Sequence, residues 1–208
     1  LQGSIRVLEV ALGSLLVAVL LGLVGAAAKL SGHKPAVWLA TLYSTLIRGI
    51  PDLVLMLLIF YGGQIGLNWV LEAFGYEGYV EINPFVAGVL TIGFIYGAYM
   101  TETFRGAILA IPPGQMEAGR AYGMGTLQIF MRITLPQMVR LALPGFTNNW
   151  LVLMKATALV SLLGLQDMTY LAKQTGAAAR GDIANAPLLF FAFTAFIYLM
   201  FTTVSMLL

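Results

Sequence analysis

The sequence has no cysteine and a single histidine, His33, among its 208 residues. Without cysteine there is neither a disulfide framework nor a thiolate metal site, and His33 lies in a polar connection without companion ligands. We therefore predict no metal site. The chain also lacks G-x4-G-K-[ST], the phosphate-binding loop of many ATPases, which excludes ATP hydrolysis by that route. Only 10% of residues are charged, and the formal net charge of +2 is too small to indicate nucleic-acid binding.

Apolar residues make up 60% of the chain and are gathered into five long runs. Each run approaches or exceeds the roughly 20 residues that a helix needs to cross a bilayer. The first is too long and too rich in glycine for a cleaved signal peptide, so it is interpreted as a span. The predicted spans are residues 5–28, 53–74, 85–110, 136–164 and 187–208. We predict an all-α integral membrane protein in which residues 1–208 form a single transmembrane domain within a lipid bilayer.

The fourth run carries several residues that interrupt an apolar helix. Pro144 and Gly145 predict a kink or a break, and Asn148, Asn149 and Lys155 follow. An ionisable group at membrane depth is costly and is therefore a candidate for function. Lys155 either binds a carboxylate of the solute, pairs with an acid on another helix, or is satisfied by backbone carbonyls at the break.

Basic residues are unevenly distributed among the loops, and this predicts the orientation. The loop after span one and the loop after span three hold most of them: Lys29, Lys34, Arg48, Arg105, Arg120, Arg132 and Arg140. The loop after span two has three acids and no base: Glu72, Glu77 and Glu81. The last loop has mixed charge: Asp167, Lys173, Arg180 and Asp182. By the positive-inside rule the N-terminus is outside and the loop 111–136 is cytoplasmic.

Residues 35–51 have apolar side chains on one side, which predicts either a short interfacial helix or an extension of span two. Arg48, at its end, is explained by topology and snorkelling or by a gating contact. Glycines also recur in close pairs within the spans, either for tight helix packing or because glycine is common in membrane helices. These pairs are Gly22 with Gly25, Gly62 with Gly66, and Gly93 with Gly97.

The loop 111–136 is predicted to contain a short helix of its own. Residues 112–114 are Pro-Pro-Gly and end span three, and a new helix starts at about Gln115 with Glu117 in its first turn. Gly123 supplies the left-handed residue that ends this helix. Three small residues give it a face that is almost bare: Ala118, Gly119 and Ala121. Such a face fits a groove on another protein.

Seven residues of this loop match a family pattern, EAA-x3-G-x9-I-x-L-P, at full spacing. They are Glu117, Ala118, Gly119, Gly123, Ile133, Leu135 and Pro136. The loop resembles that of permease subunits in binding-protein-dependent, ATP-driven (ABC) importers. Gly119 replaces the usual alanine, a change between small residues that should preserve the docking face. Residues 43–51, 93–106 and 148–165 look like the polar amino-acid branch, and more narrowly like permeases for histidine and for lysine, arginine and ornithine.

The resemblance implies a type I ABC importer permease fold in a bacterial inner membrane. The loop would be the coupling helix, which sits in a cleft of a cytoplasmic ATPase subunit. An ATPase dimer would supply ATP and magnesium chemistry, and an external amino-acid-binding protein would deliver the solute. Because five spans are few to enclose a path, a second permease chain, identical or homologous, is expected. The chain itself is expected not to be an enzyme and to need no cofactor.

Two other classes of function have less support in the sequence. An ion-coupled secondary carrier needs a titratable relay and usually a repeat, whereas the sequence has isolated charges and no convincing inverted repeat. A membrane enzyme needs paired carboxylates, a metal cluster or a nucleophile constellation, and none is evident. The importer permease is therefore the preferred hypothesis.

Polar and aromatic residues within the spans are the candidates for the substrate path, with Arg48 as a gating candidate. The path candidates are Tyr96, Tyr99, Glu102, Asn148, Asn149, Lys155, Ser161 and Asp167. Glu102 either pairs with Arg105, three residues on, or meets the positive end of the solute. Tyr96 and Tyr99 either line the path or pack. Asp167 either guides a cation or caps a helix.

Overall fold

The computed structural model describes residues 2–181 and 185–207, and all regular structure in these ranges is helical. The chain forms α1 (Gln2–Leu30), α2 (Lys34–Gly49), α3 (Asp52–Ala73), α4 (Pro84–Leu109), α5 (Pro113–Ala121), α6 (Thr126–Ile129), α7 (Leu135–Ala156), α8 (Met168–Ala178) and α9 (Ala186–Leu207). Within the described ranges, five stretches are long and apolar enough to cross a membrane: α1, α3, α4, Thr126–Leu163 and α9. The prediction of an all-α protein with five spans is confirmed.

Helix α4 is the centre of the fold. In its most apolar stretch 61% of residues are buried, against 6% for α9. Helices α1, α2 and α7 pack around α4, while α9 leaves most of its apolar surface uncovered by this chain. An apolar surface of this kind suits lipid or a partner rather than water.

Glycines allow α1 and α4 to approach closely. A Cβ atom on Gly25 would lie 2.2 Å from the Thr101 hydroxyl oxygen, and one on Gly22 would lie 2.5 Å from Cβ of Met100. The predicted packing role of this pair is confirmed, because a side chain at either position would clash.

The glycines of α4 are used in the same way, whereas those of α3 are not. A Cβ atom on Gly93 would lie 2.5 Å from Val17, and one on Gly97 would lie 2.8 Å from Leu21. By contrast, Gly62 and Gly66 have no atom of the described chain within 4 Å of such a position. The α3 pair therefore packs on nothing within the part of the chain that is described.

The fourth span is not broken where the sequence indicated. Helix α7 runs unbroken through Pro144, which lies on an exposed face. The change comes later, where the α-helix becomes the 3₁₀ segment Thr157–Leu163. There the hydroxyls of Thr157 and Ser161 donate to carbonyls three residues back, at 2.7 and 2.8 Å, and compete with the α-helical ladder.

The start of the fourth span also differs from the prediction. The chain is helical from Thr126 onward, and a π-helical turn, Phe130–Thr134, precedes α7. Pro136 has no N–H with which to continue the ladder, so the wider turn lies directly before it. The span thus begins well before Pro136.

Helix α2 is separate from α3, because Ile50 and Pro51 interrupt the helix between them. The prediction of a short helix is therefore confirmed, and its alternative as an extension of span two is wrong. Helix α2 runs beside α4, where the Ser44 hydroxyl donates to Glu102 at 3.2 Å. Its place at a membrane interface stays a prediction.

Candidate functional site

The loop between the third and fourth spans is built around α5. The helix has Pro112 at its N-cap and begins at Pro113, where the fixed φ of proline suits a first helical residue. Because it begins two residues earlier than predicted, Glu117 is in the second turn and not in the first. Its side chain is exposed.

Gly123 ends this helical segment as predicted. Its φ of 79° is in the left-handed region, and its N–H donates to the Arg120 carbonyl at 2.9 Å. The N–H of Met124 then donates to the Gly119 carbonyl at 3.0 Å. This is the pattern of a glycine-terminated helix, which redirects the chain within one residue.

The bare face of α5 is smaller than predicted. Ala118 and Ala121 are exposed, but Gly119 is buried. A Cβ atom on Gly119 would lie 3.0 Å from Cδ1 of Ile133 and 3.3 Å from Cγ1 of Ile129. Neighbouring residues of a helix point about 100° apart, so Ala118 and Gly119 cannot share a face. Gly119 instead fastens α5 onto the helical segment that returns to the membrane.

Large apolar side chains surround α5 without cover from this chain. Tyr122 is 90% exposed and Leu127 is 70% exposed, with Phe130 and Met131 also exposed. The structure places all four of these side chains at the surface. Together with Ala118 and Ala121 they form what we call the α5 surface, which has the character of an interaction site.

The three remaining motif residues connect α5 to the fourth span. Ile133 is half-buried against Gly119, and Leu135 is half-buried against the core of the bundle. Pro136 is exposed. A hydrogen bond from Gln137 to Gln115 joins α7 to α5 directly. Helix α5 therefore packs on the segment 126–134 that leads into α7, with one side-chain hydrogen bond to α7 itself.

Glu102 lies in a cluster of compensating groups. The Arg105 guanidinium donates to it at 2.9 Å, which confirms the predicted pair. The Lys29 ammonium and the Ser44 hydroxyl also donate to this carboxylate. Lys29 and Ser44 come from α1 and α2, and local spacing gave no indication of them. The negative charge of Glu102 is thus matched within the chain.

A second polar cluster lies about one to two turns nearer the N-terminus of α4. The Tyr96 hydroxyl donates to Asp52 Oδ2 at 3.1 Å, and the ring centroids of Tyr96 and Tyr99 are 5.6 Å apart. The Arg48 guanidinium carbon lies 5.6 Å from the centre of the Tyr99 ring. Asp52 was missed by the sequence reasoning, although an acid at the start of an apolar span was a signal for it.

The polar residues of α7 point in two directions. Asn149 is buried and donates to the Thr103 hydroxyl at 2.9 Å, so it faces α4. Asn148 and Lys155 are exposed, and within residues 2–181 and 185–207 neither side chain makes a hydrogen bond or an ion pair. Ser161 is half-buried and bonds to its own helical segment.

Asn148 and Lys155 of α7 lie on the same side of the α4–α7 pair as Tyr99 of α4. Val139, Leu143 and Phe146 of α7 share a groove with Val19 and Leu23 of α1. Helical geometry turns Asn148 and Lys155 to the opposite flank of α7, and it turns Tyr99 away from the face of α4 that packs on α1. We call the flank that faces away from α1 the open side.

Asp167 caps α8, which confirms the capping alternative. Its Oδ1 accepts the Tyr170 N–H at 2.8 Å, and the residue is 1% exposed. Burial raises the pKa of this carboxyl above its ordinary value, although the hydrogen bond from the Tyr170 N–H lowers it in part. Oδ2 has no partner in the described part of the chain. Asp182, in the same loop, lies outside the described residues.

Five spans, a short helix between the third and fourth, and an uncovered apolar surface on that helix define a class of protein. It is a multi-span membrane subunit that works with other proteins. A family model described as "Binding-protein-dependent transport system inner membrane component" matches residues 18–208. The chain belongs to this family, as the sequence motif predicted.

Individual relatives agree. The histidine/lysine/arginine/ornithine transport system permease protein HisQ of Escherichia coli K12 is 54% identical over 99% of this chain and 87% of that protein. The octopine transport system permease protein of Rhizobium radiobacter is 39% identical over 99% of this chain and 84% of that protein.

Solved structures share the fold. A crystal structure of an amino acid ABC transporter with histidines matches with a TM-score of 0.77 and 31% identity, over 99% of this chain and 90% of that one. An inward-facing MetNI methionine ABC transporter matches with a TM-score of 0.70 at 18% identity, over 98% of this chain and 91% of that one. The type I importer permease fold is confirmed. Family membership assigns a translocation role in the inner membrane, with a binding protein and an ATPase as partners.

Proposed function

We propose that this chain forms part of the path by which an ATP-driven importer moves basic amino acids across the membrane. The observation that carries the substrate class is the 54% identity, over almost the whole chain, to a permease for histidine, lysine, arginine and ornithine. The open side supports it, because it offers both an exposed ammonium at Lys155 and a carboxylate at Asp52. A basic amino acid carries the complementary charges.

The proposed orientation has the N-terminus outside and α5 in the cytoplasm. The distribution of basic residues supports it, with Arg105, Arg120 and Arg132 between the third and fourth spans. On this side a dimer of ATPase subunits would bind ATP and magnesium. The chain itself would hydrolyse nothing and would hold no cofactor.

The α5 surface is the proposed contact with the ATPase. Glu117 and Ala118 are exposed and Gly123 sets the turn, so these motif residues are placed to meet a partner. Three further motif residues would contribute indirectly. Gly119 and Ile133 pack α5 onto the segment that leads into α7, and Leu135 packs that segment on the core. Pro136 follows the π-helical turn and fixes the start of α7.

A second permease subunit is proposed to complete the path. Helix α3 supports this, since Gly62 and Gly66 have the spacing of a packing motif but no neighbour in the described chain. Helix α9 is also largely uncovered. The path would then run along the open side, with Lys155 and Asn148 receiving the carboxylate of the solute and Arg48 beside Tyr99 as a gate. Asn149 and Ser161 would hold α7 and its 3₁₀ extension in shape.

The packing of α5 on the segment that leads into α7 provides the proposed coupling between the ATPase and the spans. Closure of the ATPase dimer would displace α5, and the packed contacts of Gly119 with Ile129 and Ile133 would pass this displacement to α7. The ATPase shifts the path between inward-facing and outward-facing states only to the extent that it binds one of them more tightly.

The test is ATP-driven uptake of radiolabelled arginine into proteoliposomes that contain the full assembly with its binding protein. The variant Glu117→Lys with Gly123→Arg should abolish uptake and release the ATPase on co-purification. The matched control is Glu77→Lys with Gly75→Arg, which alters an exposed acid and a glycine with φ of 85° in another loop. This control should leave uptake unchanged.

Intact ATP-coupled uptake by the Glu117 and Gly123 variant would show that the α5 surface is not the coupling site. Uptake by the chain alone, driven by a proton or sodium gradient, would favour an ion-coupled carrier instead.

A further inference from the structure

We propose that Asp52 is the residue that selects the positive charge on the side chain of the transported amino acid. The inference rests on the proposed function, and it names a specificity-determining group within that path. It replaces the earlier candidate for this task, Glu102.

The carboxylate of Asp52 is not used by its own helix. Asp52 is the first residue of α3, but that helix has no side-chain cap, and Pro51 occupies the N-cap position. Instead, Asp52 Oδ2 accepts the Tyr96 hydroxyl at 3.1 Å. In the described ranges of the chain, Asp52 has no ion pair with any Lys or Arg. Within these ranges its negative charge is therefore not neutralised by a direct ion pair.

Glu102 is in the opposite situation. Lys29 and Arg105 both donate to its carboxylate, and Ser44 adds a third hydrogen bond. A cationic solute at Glu102 would have to displace a cation that the chain already holds there. Since the displaced charge would lose its partner in a half-buried place, the exchange gains little. Within the described ranges Asp52 forms no ion pair, and the nearby Arg48 lies over the Tyr99 ring instead of bonding to the carboxylate.

An aromatic ring near Asp52 contributes to the proposed cation site. Tyr96 is 2% exposed and packs 5.6 Å from Tyr99, so the half-buried Tyr99 is the ring that can attract an ammonium or guanidinium group. The chain demonstrates this with its own Arg48, whose guanidinium carbon lies 5.6 Å from the centre of the Tyr99 ring. Tyr99 is half-buried and Arg48 is exposed, so the cluster reaches the surface on the open side.

Lys155 lies at a similar depth along α4. Helix α7 and its extension run antiparallel to α4, with Gly145 beside Thr103 and Val160 beside Gly88. Position 155 therefore lies alongside the stretch of α4 that contains Tyr96. The open side thus presents an ammonium and a carboxylate at comparable depth, on different helices. This pairing suits a solute with an α-carboxylate at one end and a cation at the other.

The test compares arginine with citrulline, which has the same length but no charge on its side chain. Equilibrium binding of both radiolabelled compounds is measured on the purified permease and ATPase complex without the binding protein, so that only the path selects. Asp52→Asn should weaken arginine binding about 10- to 100-fold, the usual effect of losing a charged hydrogen-bond partner, and leave citrulline binding within about threefold.

Three further variants separate charge from structure. Tyr96→Phe removes the hydrogen bond and keeps the charge, so the preference for arginine over citrulline should persist. Asp52→Glu should restore most of that preference. Glu72→Gln neutralises an exposed acid in the last turn of the same helix and should have no effect.

An unchanged arginine preference in Asp52→Asn, with wild-type arginine binding intact, would overturn the role of Asp52 alone. A loss of that preference in Tyr96→Phe as large as in Asp52→Asn would also overturn it, because the carboxylate would then act only through its hydrogen bond. Failure of the wild-type complex both to bind arginine and to transport it would instead overturn the proposed function.

Discussion

A single methyl group at Gly25 should loosen the contact between α1 and α4. In Gly25→Ala the new Cβ would lie 2.2 Å from the hydroxyl oxygen of Thr101 and 2.9 Å from its methyl carbon. Thr101 is fully buried and its hydroxyl donates to the Gly97 carbonyl at 2.9 Å. It cannot turn away without breaking that bond, and its branched side chain has few rotamers.

The size of the effect follows from three terms. Overpacking a tight contact costs about 1–3 kcal/mol, and loss of the Thr101 hydrogen bond costs about 1 kcal/mol. Replacing glycine by alanine within a helix returns up to about 1 kcal/mol. The net destabilisation is about 1–4 kcal/mol, which for a chain of this size corresponds to a melting temperature lower by about 2–16 °C.

The assay is thermal unfolding of the assembled complex in detergent, with Gly106→Ala as the matched control. Gly106 lies in α4, and a Cβ there would meet nothing within 4 Å, so the control should be as stable as wild type or slightly more stable. Adding Thr101→Ala to Gly25→Ala removes the two nearest atoms and should recover part of the loss. If Gly25→Ala were as stable as Gly106→Ala, the close approach of α1 and α4 would be refuted.

Two further outcomes are expected. Glu102→Gln leaves Lys29 and Arg105 close together without a carboxylate between them, so the complex should lose about 1–2 kcal/mol, measured as a lower melting temperature; an unchanged value would contradict the cluster. Because burial raises the folded-state pKa of Asp167 above the ordinary aspartate value of about 3.9, ionisation is harder in the fold, and stability falls as pH rises from that value through the raised pKa. Asp167→Asn keeps a capping oxygen and cannot ionise, so its melting temperature relative to wild type should rise over the same pH window, and a constant difference would contradict this.

Local signals in the sequence were enough for the spans and for α5. Apolar runs of sufficient length marked the five spans, and Gly123 marked the end of α5, because a left-handed residue is a local requirement that glycine meets. The Glu102–Arg105 pair was also predictable, since residues three apart on a helix are neighbours. In each case the cause lies within a few residues of the effect.

Contacts between distant residues were not predictable in this way. Lys29 reaches Glu102 across 73 residues of sequence, and Asp52 meets Tyr96 across 44. The inward turn of Gly119 depends on where α5 begins and on the position of Ile133. Pro144 was expected to kink or break the fourth span, but α7 continues through it, and it lies on an exposed face.

The π-helical turn Phe130–Thr134 has a consequence for how force would travel through the chain. Buried residues continue at intervals of five and then four, from Ile129 to Thr134, Met138 and Ala142, because the wider turn absorbs one extra residue. Without that residue, the stripe of α7 that packs on the core would point about 100° away from the side chain that supports α5. The residues that pack on the membrane core and the residue that supports α5 therefore lie in register along one continuous helical segment, residues 126–156.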